Sequence, residues 1–165
     1  PKAIKRNAKI RANSKTLSGM KMTILSLNSE PLAEKESVDM VLTFRNLHNW
    51  LKAEILMDVF NKSYAALKPG GIFGVVEHRA LATTSLENMK KSGYVTEELA
   101  IEYAKKAGFI FIAKSEINAN PKDGTIHPKG VWTLPPTLRM GEEDKDKYIA
   151  IGESDRMTLK FMKPK

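Results

Sequence analysis

Val38-Asp39-Met40-Val41-Leu42-Thr43-Phe44-Arg45-Asn46-Leu47-His48-Asn49-Trp50 decides how the rest of the chain is read. Its first part is a short apolar run with the length of a buried strand. That run stops at side chains that donate, accept and carry charge: Thr43, Arg45, Asn46 and His48. In an open α/β sheet, ligands bind just outside the carboxyl ends of the strands. The end of this strand is therefore the first candidate for a site. Asn49 also suits the N-cap of a following helix, but four capping residues in a row would be redundant.

Working outward, Leu51, Ile55, Val59, Phe60, Tyr64 and Leu67 recur three or four apart. This spacing predicts an amphipathic helix from Trp50 to Leu67 on one face of a sheet. Lys68-Pro69-Gly70-Gly71 stops it, and Ile72-Phe73-Gly74-Val75-Val76 follows, apolar on both faces as in a central parallel strand. That strand ends in Glu77-His78-Arg79, a second polar cluster after a buried run.

Ala80 to Gly93 reads as a polar loop, and a helix starts near Thr96 with Glu97 and Glu98 in its first turn. Phe109 to Ala113 is a third strand. The segment 118–139 is loop-like, rich in proline, and carries Trp132. Arg156 to Met162 alternates with period two and makes a last, antiparallel strand. Before all of these, Lys2 to Leu17 reads as a basic helix and Met20 to Leu27 as a strand near a sheet edge.

The 165 residues suffice for one domain with a real core, and the composition, 42% hydrophobic and 28% charged, is that of an ordinary globular protein. No apolar stretch has the length of a membrane span. Without cysteine there is no disulfide and no thiolate chemistry. The net charge of +8 is local: Lys2, Lys5, Arg6, Lys9, Arg11, Lys15 and Lys21 all precede the first acidic residue, Glu30. Over positions 22–165, 20 basic residues meet 19 acidic ones. Such a run is usually a solvated face, which argues against a nucleic-acid partner.

Strand, helix, strand, helix, strand demands a mostly parallel α/β sheet. Leu67-Lys68-Pro69-Gly70-Gly71 leading into a buried strand resembles the turn before the fifth strand of class I S-adenosylmethionine-dependent methyltransferases, and the strand opened by Asp39 resembles their fourth. The runs 43–50, 75–79, 116–121, 130–136 and 151–157 resemble, in the same order, a little-characterised bacterial methyltransferase-like group. The resemblance covers essentially the whole chain. It implies a Rossmann-like class I methyltransferase fold, with a mostly parallel sheet and an antiparallel last strand. The family's glycine-rich cofactor loop has no counterpart here, where close backbone approach would require it. By the resemblance the chain is a single incomplete domain over 1–165, the C-terminal part of a longer protein whose first strands are missing. The alternative is a relative that has lost the cofactor.

The resemblance further implies methyl transfer from S-adenosylmethionine to a small-molecule acceptor. The competing reading is a non-catalytic binding or scaffold module. Thr43, Phe44, Arg45 and Asn46 are the implied cofactor contacts, although Phe44 equally suits core packing. His48 and His78 follow adjacent strands and are candidates for acid–base work at one crevice, with Glu77 beside them. The three would also make a metal triad, but Glu77 and His78 are sequential neighbours expected to point apart, and no metal is assigned. Arg79, in the cluster that ends the second strand, is a substrate-binding candidate, as are Asn118, Asn120, Trp132 and Arg156, which with Glu153 and Asp155 sit in loops the fold would place over the crevice. They form a substrate lid or anchor the proline-rich loop. Compartment and oligomeric state are not legible.

Overall fold

The computed structural model describes residues 23, 25 and 30–165. The basic helix expected over 2–17 lies outside the described residues, as does the strand expected over 20–27 apart from Thr23 and Leu25. The α/β reading holds for the rest. Among the described residues four strands, β1 (Val38–Phe44), β2 (Leu67–His78), β3 (Ile110–Ser115) and β4 (Arg156–Met162), form one sheet in the order β1-β2-β4-β3. β1 pairs parallel with β2, while β4 is antiparallel to both β2 and β3. Three strands thus run one way and the last returns between two of them.

One face of the sheet is packed. Phe73, Val75, Met157, Leu159 and Phe161 point into a core completed by Leu47, Leu51, Leu56, Phe60, Ala100 and Ala104. The inward positions of β4 are its odd-numbered residues, so the period-two pattern reports the pleat directly. Each fully buried Leu or Phe there contributes about 1.5–3 kcal/mol. On the other face Met40, Leu42, Phe44, Ile110 and Ile112 are exposed.

The helix expected from Trp50 to Leu67 is two helices, α1 (Leu47–Lys52) and α2 (Leu56–Ala66). Glu54, at φ 60°, turns the chain between them. Lys68 to Gly71 is not a separate turn. It lies within β2, where two residues of β1, Val38 and Met40, pair with Leu67 and Ile72 and the register slips. Lys163 closes the C-terminal end of α2: its buried ammonium donates to the carbonyls of Leu67 (2.9 Å) and Tyr64 (3.1 Å) and reaches Glu36 at 3.2 Å.

The polar stretch 80–93, expected to be a loop, contains α3 (Leu86–Ser92), with the Ser85 hydroxyl accepting from Asn88 N–H and Gly93 closing it at φ 76°. α4 (Glu97–Lys106) starts where expected, Thr96 accepting from Leu99 N–H at 3.2 Å. A 3-10 helix (Gly130–Thr133) carries Trp132, and α5 (Lys145–Ile151) occupies the charged stretch near the end. Gly130 has φ 58°, and a Cβ there would lie 2.2 Å from the Ser92 carbonyl oxygen, so the 3-10 helix can pack on α3 only with glycine at this position. No helix among the described residues is long and apolar enough to cross a membrane.

Candidate active site

β1 and β2 end side by side, with Thr43 opposite Val75 and Phe44 opposite Val76. Arg45 then leaves the sheet in the left-handed region, φ 57°, its N–H still held by the Val76 carbonyl at 2.7 Å. This turn starts α1 at once and brings His48 back over the end of β2. Glu77 continues the inward face of Phe73 and Val75, so it lies beneath α1, fully buried.

Glu77 accepts three hydrogen bonds there. One oxygen takes His48 Nδ1 at 3.0 Å and the His78 backbone N–H at 2.8 Å, and the other takes the His48 backbone N–H at 3.2 Å. A carboxylate is acceptor-only, so Nδ1 is the nitrogen of His48 that donates to Glu77, and Nε2 lies outside the pair. Nε2 has no partner among the described residues.

His78 Nδ1 meets the Ser154 hydroxyl at 2.5 Å, and the two imidazole centroids are 5.4 Å apart. Burial is the main reason the pKa of His78 falls to about 4; the charge of Glu77 opposes it, and His48, Arg45 and Arg156 lower it further. His78 is therefore neutral at ordinary pH.

Both histidines line a cavity of about 330 Å³ with Phe44, Arg45, Trp132, Glu153 and Arg156. One donor atom from each of His48, Glu77 and His78 falls within 4.8 Å of the others. The expectation that Glu77 and His78 point apart is thus corrected, because donor atoms of both converge on His48. Glu77 makes all three of these hydrogen bonds within the protein.

The other sequence candidates divide. Phe44 is 56% exposed, so the core-packing alternative fails, and its ring stands at the crevice beside Arg45. Thr43 is buried, with its hydroxyl unpartnered, and Asn46 turns its amide to the Phe44 carbonyl at 3.1 Å; neither lines the cavity. Trp132 and Arg156 do. The Trp132 ring stands edge-on to His48, centroids 5.9 Å apart, and Arg156 pairs with Glu153 at 2.5 Å.

Arg79, expected to meet substrate, does not reach the crevice. Its fork takes both oxygens of Asp155 (2.8 and 2.9 Å), and a third nitrogen meets Glu97 (3.0 Å) and Glu116 (2.7 Å). Asn118 donates to Thr158 at 2.8 Å, and Asn120 donates to the carbonyls of Ile151 (2.9 Å) and Glu153 (2.6 Å). Asn118 and Asn120 thus make the contacts of the anchoring alternative, while Arg79 ties the end of β2 to its neighbours.

Two features escaped the sequence. Ser154 fixes His78 from the far end of the chain. A second histidine–carboxylate pair also forms in the proline-rich loop: His127 Nε2 lies 2.7 Å from Asp123 Oδ1, while Asp123 Oδ2 accepts from Tyr94 OH at 2.9 Å. A histidine four residues after an aspartate was the available signal, but nothing periodic surrounds it.

No family model matches the sequence, and no curated protein does. Solved structures do match. An S-adenosylmethionine-dependent methyltransferase from Mesorhizobium loti is 13% identical with a TM-score of 0.56, over 96% of this chain and 76% of that one. The apo form of the S-adenosylmethionine-dependent methyltransferase SibL is 15% identical with a TM-score of 0.60, over 100% of this chain and 42% of that one. The [4+2]-cyclase SpnF is 17% identical with a TM-score of 0.60, over 96% of this chain and 61% of its own length. The chain therefore spans less than two thirds of SpnF and of SibL. At such identities the likeness establishes architecture, and that architecture is the fold of the class I S-adenosylmethionine-dependent methyltransferases.

Proposed function

We propose that the intact protein transfers a methyl group from S-adenosylmethionine to a small-molecule hydroxyl or amine. The observation that carries this reading is the His48–Glu77 pair, opening with neutral His78 and Arg45 on one crevice at the carboxyl edge of a sheet of this fold. The residues at the end of β1 fit one side of a cofactor cradle. Phe44 offers an exposed ring and Arg45 a cation suited to a carboxylate, both lining the crevice. When bound, the cofactor supplies an electrophilic methyl group on a sulfonium.

This chain's residues do the rest. Trp132 and the Pro135–Pro136 segment wall the crevice and limit water. As the acceptor heteroatom takes the methyl, its proton moves to Nε2 of His48. Glu77 then stabilises the resulting imidazolium through Nδ1–H, in a site where burial strengthens the attraction. His78, held by Ser154, stays uncharged and adds no repulsion to that imidazolium.

SpnF shows that this fold also serves a protein described as a cyclase, and a scaffold that no longer takes the cofactor is the competing reading. Calorimetric titration of S-adenosylmethionine into the full-length protein separates them. Saturable binding, weakened by Arg45→Ala, supports methyl transfer. No binding to the full-length protein overturns it in favour of the scaffold.

A further inference from the structure

Trp132 is a wall shared by two cavities. Beyond it from the histidine crevice lies a larger one, about 590 Å³, between the loop that follows β2, α3 and the proline-rich loop. That volume is typical of a pocket that encloses a small molecule.

The lining has a definite chemistry. Leu81, Ile126 and the Trp132 ring give it apolar walls, while Lys91, Lys129 and Arg139 bring three cations, and no Asp or Glu lines it. Arg139 is held over the face of Trp132, 4.8 Å from the ring centroid. Arg139 and Lys129 have no carboxylate partner among the described residues, although Lys91 is paired with Glu87. Asp123, bonded to His127 of the lining, is already engaged by four groups: His127, Tyr94 OH and the N–H groups of Thr125 and Asp155. Its charge is spent within the protein, so the cavity presents a net positive wall beside an aromatic one.

We propose that this larger cavity binds the methyl acceptor, and that the acceptor carries a carboxylate or phosphate on an apolar ring-bearing body. This rests on the methyl-transfer reading only for the word acceptor; the anion site stands on the lining itself. The anionic group lies between Arg139 and Lys129, the ring lies against Trp132, and the far end of the molecule passes the edge of Trp132 toward His48. Trp132 thereby sets the reach between the anion and the atom that is methylated. The same arrangement makes the acceptor's charge, rather than its size, the main source of selectivity.

The test is a binding titration on the full-length protein with three named probes: 4-hydroxybenzoate, phenyl phosphate and uncharged 4-hydroxybenzamide. The anions are expected to bind about tenfold or more tightly than the amide. Arg139→Gln and Lys129→Gln should each remove much of that preference, and Arg139→Lys should keep it. A stronger benzoate or a stronger phenyl phosphate response identifies which acid the site takes, and either supports the proposal. Equal affinity for all three, no binding of any at millimolar concentration, or a preference untouched in both Gln variants overturns it. A cofactor titration in the same protein keeps the two claims apart. Anion preference without cofactor binding refutes the acceptor role and leaves the anion site, whereas cofactor binding without anion preference refutes this site alone.

Discussion

His48 Nδ1 lies 3.0 Å from Glu77 Oε1, and the same carboxylate accepts the backbone N–H of His48 at 3.2 Å. One buried side chain therefore fixes both the position and the tautomer of the ring. Glu77→Gln keeps the shape but offers the ring a donor or a neutral acceptor in place of the charge. The expected result is a fall in kcat of about 10²-fold or more with little change in cofactor affinity, because the imidazolium loses its counter-charge. Steady-state kinetics beside calorimetry check it; an unchanged kcat would show that the pair only holds α1 in place.

His78 makes stability depend on pH. Its pKa is about 4 in the folded protein against 6.5 for the free side chain, chiefly through burial. The unfolded chain therefore binds more protons between these values, so this contribution is present above about pH 6.5 and lost as pH falls toward 4. The loss is on the order of 2–3 kcal/mol. Urea unfolding at several pH values should show His78→Asn less sensitive than the parent through that window. Parallel curves for the two proteins would refute it.

Arg79 holds Glu97 of α4, Glu116 after β3 and Asp155 before β4 to the end of β2. Removing one member of a largely buried ion cluster leaves the others uncompensated. Arg79→Leu is expected to cost about 3 kcal/mol of stability, and Arg79→Lys to recover only part because it lacks the planar fork. Denaturant midpoints measure this. A loss below about 0.5 kcal/mol would mean the cluster behaves as surface charge.

Lys163 donates to two carbonyls at the C-terminal end of α2 while its ammonium sits 4.7 Å from the Tyr64 ring centroid. Lys163→Met should fill the space yet leave those carbonyls unsatisfied, costing about 1–3 kcal/mol. Thermal unfolding gives the answer, and a variant as stable as the parent would show that water replaces the ammonium at no cost.

The parts of this fold that were legible in the sequence are those in which local pattern and burial agree. The runs at 38–44 and 72–76 were readable as adjacent strands because nearly every residue in them is apolar, and β4 because its alternation is strict. The break between α1 and α2 was not, since Glu54 adopts a left-handed conformation that neither glycine nor proline announces. α3 carries only Leu86 and Met89 as apolar residues, yet Ser85 and Gly93 were the capping signals that could have revealed it. Around the site, the position of Arg45, His48 and His78 just after two adjacent strands was enough to expect them on one crevice, and they do line one cavity. Pairings such as His48 with Glu77, Arg79 with Asp155 or His78 with Ser154 are made by tertiary packing across 29 to 76 residues, which no local pattern encodes.

The most direct test of the account measures turnover and cofactor affinity side by side in His48→Ala of the full-length protein. Loss of the proton acceptor at Nε2 should lower kcat by about 10²–10⁴-fold. The dissociation constant for S-adenosylmethionine should stay within about threefold of the parent, because the residues at the end of β1 are untouched. An unaltered kcat, or a fall in kcat matched by an equal loss of cofactor affinity, would contradict the assignment of His48 as the base.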